Sequence, residues 1–194
     1  AGADLDKIHI LSAIKTQNQR NEAVTRGFSL AQDVSRLAIL MHEIGDVRLV
    51  IIDPISAYMG DADSHNNAEV RSLLAPLQAI AAKTGAAILT VSHLNKSQGQ
   101  EALLKTQGSV GFVAAARAVW GVAKDKDNPS RRLFMPLKNN LGTDETGLAY
   151  SIESFQLIDS DPPIHTSRLM WETAPVNLTA EEVFSSHSDE DKSA

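Results

Sequence analysis

Four polar side chains stand at the ends of apolar runs, and their types are those of phosphoryl-transfer chemistry. Asp53 follows Leu49-Val50-Ile51-Ile52, and His93 closes Thr90-Val91-Ser92. Arg117 follows Ala114-Ala115-Ala116, and Lys138-Asn139-Asn140 ends the run that begins at Leu133. A carboxylate so placed holds the Mg²⁺ of a nucleotide through water. A polar group on the neighbouring strand senses a terminal phosphate, and cations offset the charge that develops on the transferred group. Taken singly, each residue has a plainer reading: Asp53 caps a turn, His93 is a satisfied structural histidine, and Arg117 and the Lys138 turn are solvated. The usual companion of such a set, a Gly-rich phosphate loop ending in Lys-Ser/Thr, is nowhere in the 194 residues.

The elements that must position these groups follow from periodicity. Residues 47–53 and 86–92 are continuous apolar strands, and residues 68–84 between them carry apolar side chains at 70, 73, 74, 77, 80 and 81, the helical spacing. Asn66 or Asn67 caps that helix, and Gly85 stops it. Two buried strands joined by a helix predict parallel pairing through a right-handed crossover. Asp53 and His93 then point into one crevice at the carboxyl edge of the sheet, where open α/β sheets bind ligands. Upstream, residues 7–11 are a short strand candidate and residues 28–44 an amphipathic helix closed by Gly45. Downstream, a polar loop at 95–100 leads to a Gly108-Ser109 turn, a small-residue helix at 110–116 and a strand at 118–122. From Arg132 the texture changes: strands at 133–137, 148–154 and 168–172 are joined by turns too short for crossover helices. That predicts an antiparallel extension on one edge of a parallel sheet. A brief helix at 179–184 and a polar, disordered tail at 185–194 complete the chain.

Composition narrows the class. Hydrophobic residues make up 43% and charged residues 22%, as in an ordinary globular domain. No apolar run reaches the roughly 20 residues that span a bilayer, and the first residues lack the basic and apolar regions of a signal peptide. The chain has no cysteine, which excludes disulfides and thiolate metal sites and is compatible with a cytoplasmic location. Of the net charge of −6, residues 181–194 carry −4, so the body is near −2 and exerts no general attraction on nucleic acid. The chain begins without Met, as a processed or incomplete polypeptide would.

Together the motifs resemble a known family. Gly45-Asp46-Val47-Arg48-Leu49-Val50-Ile51-Ile52-Asp53-Pro54, the helix end at 77–85, Val91-Ser92-His93-Leu94-Asn95-Lys96-Ser97, Gly108-Ser109 with Ala115-Ala116-Arg117, and Lys138-Asn139-Asn140-Leu141-Gly142 are similar, in order, to a RecA-like P-loop ATPase core. The type is that of the plasmid RepA hexameric helicase and its phage and plasmid primase-helicase relatives. The resemblance covers residues 1–172. It implies an α/β fold with a mainly parallel sheet flanked by helices and antiparallel carboxyl-terminal edge strands, lacking the first strand and its phosphate loop. Residues 1–175 would be a partial ATPase core, and residues 176–194 a short helix with an acidic tail. Asp53 matches the Walker B aspartate for Mg²⁺, and His93 the γ-phosphate sensor. Arg117 matches an arginine finger that acts on a neighbouring subunit's nucleotide. Lys138 matches a second trans-acting cation, and Asn140, near the nucleotide, stands where related rings often have another arginine.

The resemblance also implies ATP and Mg²⁺ as cofactors of the intact family member, a homo-oligomeric ring, and single-stranded DNA as partner. DNA would be held by the loops 58–67 and 95–108, where Lys96 and Lys105 are the candidate contacts and Asp61 and Asp63 are unfavourable to phosphate. The phosphate loop and the catalytic glutamate are expected upstream of Ala1, so the chain alone should neither hydrolyse ATP nor bind it tightly. An absent first strand would leave sheet edges open to pairing with a second copy. Two other readings stand beside this one: a non-catalytic self-association or partner-binding module on a degenerate RecA-like fold, and a clock- or recombination-type regulator.

Overall fold

Both long helices stop where a glycine takes a backbone conformation that other residues rarely adopt. Helix α1, Leu30–Ile44, ends at Gly45 with φ +68°, and α2, Asn67–Thr84, ends at Gly85 with φ +74°. The Asn66 side-chain oxygen starts α2 by accepting the N–H groups of Ala68 (3.0 Å) and Glu69 (3.4 Å). Each helix buries one stripe: Leu30, Val34, Leu37 and Met41 from α1, and Val70, Leu73, Leu74, Leu77 and Ile80 from α2. The computed structural model describes residues 3–17, 20–93, 110–142, 146–158 and 161–185. They divide into two units, Ala1–His93 and Leu94–Ala194. No helix among the described residues is long and apolar enough to cross a membrane.

The first unit holds a hairpin, β1 (Ile14–Gln17) with β2 (Ala23–Arg26), and a parallel pair, β3 (Leu49–Ile52) with β4 (Ala87–Thr90). The crossover through α2 is thus present as expected. Two expectations need correction. Residues 7–11 form no strand: the Asp4 carboxylate accepts the Asp6 N–H at 3.2 Å and folds Leu5–Lys7 into a single 3-10 turn, after which Ile8 and Ile10 stay exposed. Nor is β3 buried on both faces. Ile52 is buried, whereas Leu49, Ile51 and Leu89 are exposed, because no described element covers their side of the two-stranded sheet.

The second unit contains α3 (Val110–Ala115), β5 (Ala118–Lys124), β6 (Arg131–Asn139), β7 (Leu148–Leu157), β8 (Ile164–Trp171) and α4 (Ala180–Ser185). Its four strands are antiparallel in the order β5-β6-β7-β8 and form a sheet of their own. Strand alternation puts Ala123, Leu133, Met135 and Ala149 on one face, where Val176 and the α4 residues Val183 and Phe184 bury them. Gly121 is required there, because a Cβ would overlap the Phe184 ring and stand 3.1 Å from Leu137 Cδ1. A capping box opens α4: Thr179 N donates to Glu182 Oε2 (2.7 Å), and Glu182 N donates to Thr179 Oγ1 (3.2 Å). The β5–β6 turn is fastened by Arg131, which donates to Asp125 and to both oxygens of Glu172, each at 2.7 Å.

Candidate functional site

Backbone pairing carries the two site residues of the first unit to one end of the parallel pair. Ile52 lies opposite Thr90, and the ladder runs one step further, with Val91 N donating to Ile52 O at 2.9 Å. Asp53 and His93 therefore leave the sheet at the carboxyl ends of adjacent parallel strands, both exposed. Past Asp53 the chain turns at once into the 3-10 segment Ile55–Tyr58, pinned by Ile55 N donating to Val91 O at 2.9 Å. Buried Ile55 anchors that turn. The Asp53 carboxylate makes no hydrogen bond or ion pair within the described residues.

The loop after this turn is organised by its own acids. Asp63 N and Asn66 Nδ2 donate to the Glu69 carboxylate at 2.8 Å, and His65 N donates to Asp63 Oδ1 at 2.8 Å. It carries no Lys or Arg, so of the two candidate DNA loops it offers phosphate only backbone and neutral groups. The other candidate loop, with Lys96 and Lys105, and the Gly108-Ser109 turn lie outside the described residues, as does the tail from 186.

In the second unit Arg117, Lys138 and Asn140 come together around the end of α3. Lys138 Nζ donates to the carbonyls of Val113 (2.9 Å), Ala114 (3.2 Å) and Ala116 (2.8 Å). These belong to the last turn of the helix and the residue after it, where carbonyls lack intrahelical donors and the helix dipole favours a cation. Asn140 N donates to Arg117 O at 2.9 Å, which extends the β5–β6 ladder and fixes the Arg117 backbone. The Arg117 side chain itself is exposed. Lys138 thus closes a helix, and Arg117 is the cation presented outward.

One buried charge escaped sequence reasoning. Asp33 of α1 is 1% exposed and accepts from Arg26 Nη1 (2.6 Å), Arg26 Nη2 (2.8 Å) and Ser29 N (2.9 Å). The Arg26 bond, with the Ser29 N–H, holds its carboxyl below the usual range. It ties β2 to the start of α1 and is structural. Its only sequence signal, an Asp near a helix start, marks most helices.

The donor set can be tested against the nucleotide and metal it was expected to hold. Among the described residues no three His, Asp or Glu side chains converge on a metal position. One free carboxylate at a parallel strand end fits a Mg²⁺ whose remaining ligands are water and phosphate. The phosphate half does not fit, since the sequence supplies no Gly-rich Lys-Ser/Thr loop. A groove beside α1 and α2, lined by Leu30, Ala62, Glu69, Leu73 and Pro76, does not include Asp53 or His93. In comparison with known proteins, a family model described as an AAA domain matches residues 3–99, half of the chain. No curated protein matches it.

Proposed function

Because the chain belongs to the AAA domain family, whose intact members are ATPase-like domains using ATP and Mg²⁺, we propose that it is the larger, carboxyl-terminal part of a ring-forming RecA-like motor of the plasmid RepA helicase type. Such a motor couples ATP hydrolysis to movement along single-stranded DNA. The supporting observation is the parallel β3–β4 register, which sets Asp53 and His93 at the carboxyl ends of adjacent strands, with an exposed Asp53 that has no hydrogen-bond or ion-pair partner among the described residues. Asp53 would hold Mg²⁺ through water, and His93 would report on the terminal phosphate. Arg117 would reach a neighbouring subunit's nucleotide, and Lys138 and Asn140 act as positioning residues that hold the α3 end and the Arg117 backbone in place. The bound Mg²⁺ supplies neutralisation of phosphate charge. Without a phosphate loop in its sequence, this chain is inactive alone.

Two measurements test this reading. Calorimetric titration of the chain with ATP·Mg²⁺ should show no tight binding; submicromolar binding would refute the absence of a phosphate site. In a polypeptide that adds the upstream strands, with a Gly-rich Lys-Ser/Thr loop and the catalytic glutamate, to these residues, Asp53→Asn and Arg117→Ala should each abolish DNA-stimulated turnover. A finger is worth on the order of 10³–10⁵ in rate in GTPases, and Arg117→Ala should leave nucleotide binding intact. Unaltered turnover in Arg117→Ala would sink the finger assignment.

A further inference from the structure

Strand β8 forms one edge of the second unit's sheet, and no described strand lies beyond it. Every one of its residues is exposed. A bond just past its end fixes which way its backbone groups point. Glu172 N donates to Ala149 O at 2.8 Å, so these two form a hydrogen-bonded pair continuing the β7–β8 ladder. The ladder runs without a register shift from Tyr150 and Trp171 to Leu157 and Ile164. Alternation of bonded and non-bonded pairs then turns the N–H and C=O groups of Met170, Arg168, Thr166 and Ile164 towards β7. Those of Trp171, Leu169, Ser167 and His165 point outward, away from the sheet. Proteins normally blunt such an edge with Pro, Lys or a bulge. On the opposite edge, β5 has an irregular register at Val119 and Trp120 and ends in Lys124. Strand β8 has none of these devices. Its Arg168 folds back over its own sheet, 4.9 Å from the Phe155 ring centroid and 3.6 Å from the Glu153 carboxylate.

This edge is complementary to itself. A two-fold axis normal to the sheet makes two copies of β8 antiparallel and pairs only residues of the same face, so one residue meets its own copy on the axis. Two positions of the axis use nearly the whole strand. An axis at Arg168 sets two guanidinium groups directly opposite each other, which is unfavourable. An axis at Ser167 pairs His165 with Leu169, Ile164 with Met170, and Thr166 with Arg168. No like charges then stand opposite one another. The residues that exchange bonds across this axis are His165, Ser167 and Leu169, whose N–H and C=O groups already point outward. On either side of it Ile164 and Met170, 52% and 39% exposed, cover each other. We propose that this chain forms a two-fold dimer by β8–β8 edge pairing centred on Ser167, which continues the antiparallel sheet through both copies. The dimer is independent of the nucleotide chemistry assigned to Asp53 and Arg117. Main-chain bonds supply its affinity. The strip it buries is at the small end of protein interfaces, so it exchanges with monomer at micromolar concentrations.

Sedimentation equilibrium over a micromolar concentration range tests this on the chain as it stands, and the expected result is a monomer–dimer equilibrium. Ser167→Pro removes an outward N–H and leaves the bonds to β7 in place, as Pro is tolerated on an edge strand. It should weaken the dimer about tenfold or more, because two bonds are lost across the axis, with unchanged circular dichroism. The absence of cysteine from the chain permits a second, geometric test. Residues of a hydrogen-bonded pair have Cα atoms ~5.5 Å apart, so a bismaleimide with a two-carbon spacer should join two copies of the Ser167→Cys variant. Ser154 lies opposite Ser167 on β7, three strand spacings or ~14 Å from its own copy, and Ser154→Cys should not be joined. A wild-type monomer throughout the range would overturn the proposal. So would a dimer indifferent to Ser167→Pro, or equal cross-linking of the two cysteine variants.

Discussion

Replacing Lys138 by methionine removes one charge and keeps the apolar stem, which isolates what the ammonium does. In the structure it serves three carbonyls at the end of α3, at 2.8–3.2 Å. A hydrogen bond to a charged group contributes about 1.5–3 kcal/mol net, and a cation at a helix carboxyl terminus about 0.3–1 kcal/mol. The three bonds do not add, because one ammonium is shared and the released carbonyls at the helix end return to water. The expected loss is therefore about 2 kcal/mol, confined to the second unit. Fluorescence can read it selectively: both tryptophans of the chain, Trp120 and Trp171, lie in that unit. With a urea slope of ~1 kcal/mol per molar, the fluorescence midpoint should fall by about 2 M. The far-UV signal of α1 and α2 should keep its own midpoint. An unchanged fluorescence midpoint would refute the capping role and return Lys138 to the pool of outward-facing cations. A drop in both transitions would refute the confinement of the loss to the second unit.

Asp33→Ala strands the Arg26 guanidinium and the Ser29 N–H. Breaking a buried pair costs about 3–5 kcal/mol, but Arg26 is one-third exposed and can rehydrate, so about 2–3 kcal/mol is expected by urea denaturation, and a loss below 1 kcal/mol would contradict it. The same pair sets an acid limit. The carboxyls of Asp33, Asp125 and Glu172 all lie below their ordinary values, each held down chiefly by a bonded arginine. A depressed carboxyl stabilises the fold fully above its unfolded pKa of about 4, so stability should fall as pH drops below about 4, and Asp33→Asn should flatten that slope. Gly121→Ala forces a methyl into the Phe184 ring; it should cost about 1–3 kcal/mol, and Phe184→Ala in the same chain should cancel the additional loss from the methyl.

The helices and the parallel pair were legible in the sequence because their signals are local. A 3.6-residue apolar stripe, Asn66 at one end and Gly85 at the other define α2 almost to the residue. The hairpin of β1 and β2 was not legible: Lys15, Thr16 and Gln17 pair with Thr25, Val24 and Ala23, a mostly polar set with too few apolar residues to mark a strand. Strands β7 and β8 run longer than their apolar cores because each is extended by its neighbour's ladder, not by its own residues. Among the site residues, Asp53 and His93 could be placed from strand ends alone, whereas the work of Lys138 could not. Its partners are 22–25 residues away in sequence, and nothing in Lys138-Asn139-Asn140 names them.

By itself the sequence determined the two long helices, the parallel crossover and the carboxylate at its edge, since periodicity, caps and turn residues act within a few positions. Only the tertiary structure decided which cation is engaged by carbonyls and which is exposed, and which apolar strands stay uncovered. Leu49, Ile51 and Leu89 look like core residues in sequence and are exposed in the fold, as are Trp120 and Trp171. Burial is a property of what packs on a face, and hydrogen-bond partners are chosen by proximity in space. Neither is written in the residue that is buried or bonded.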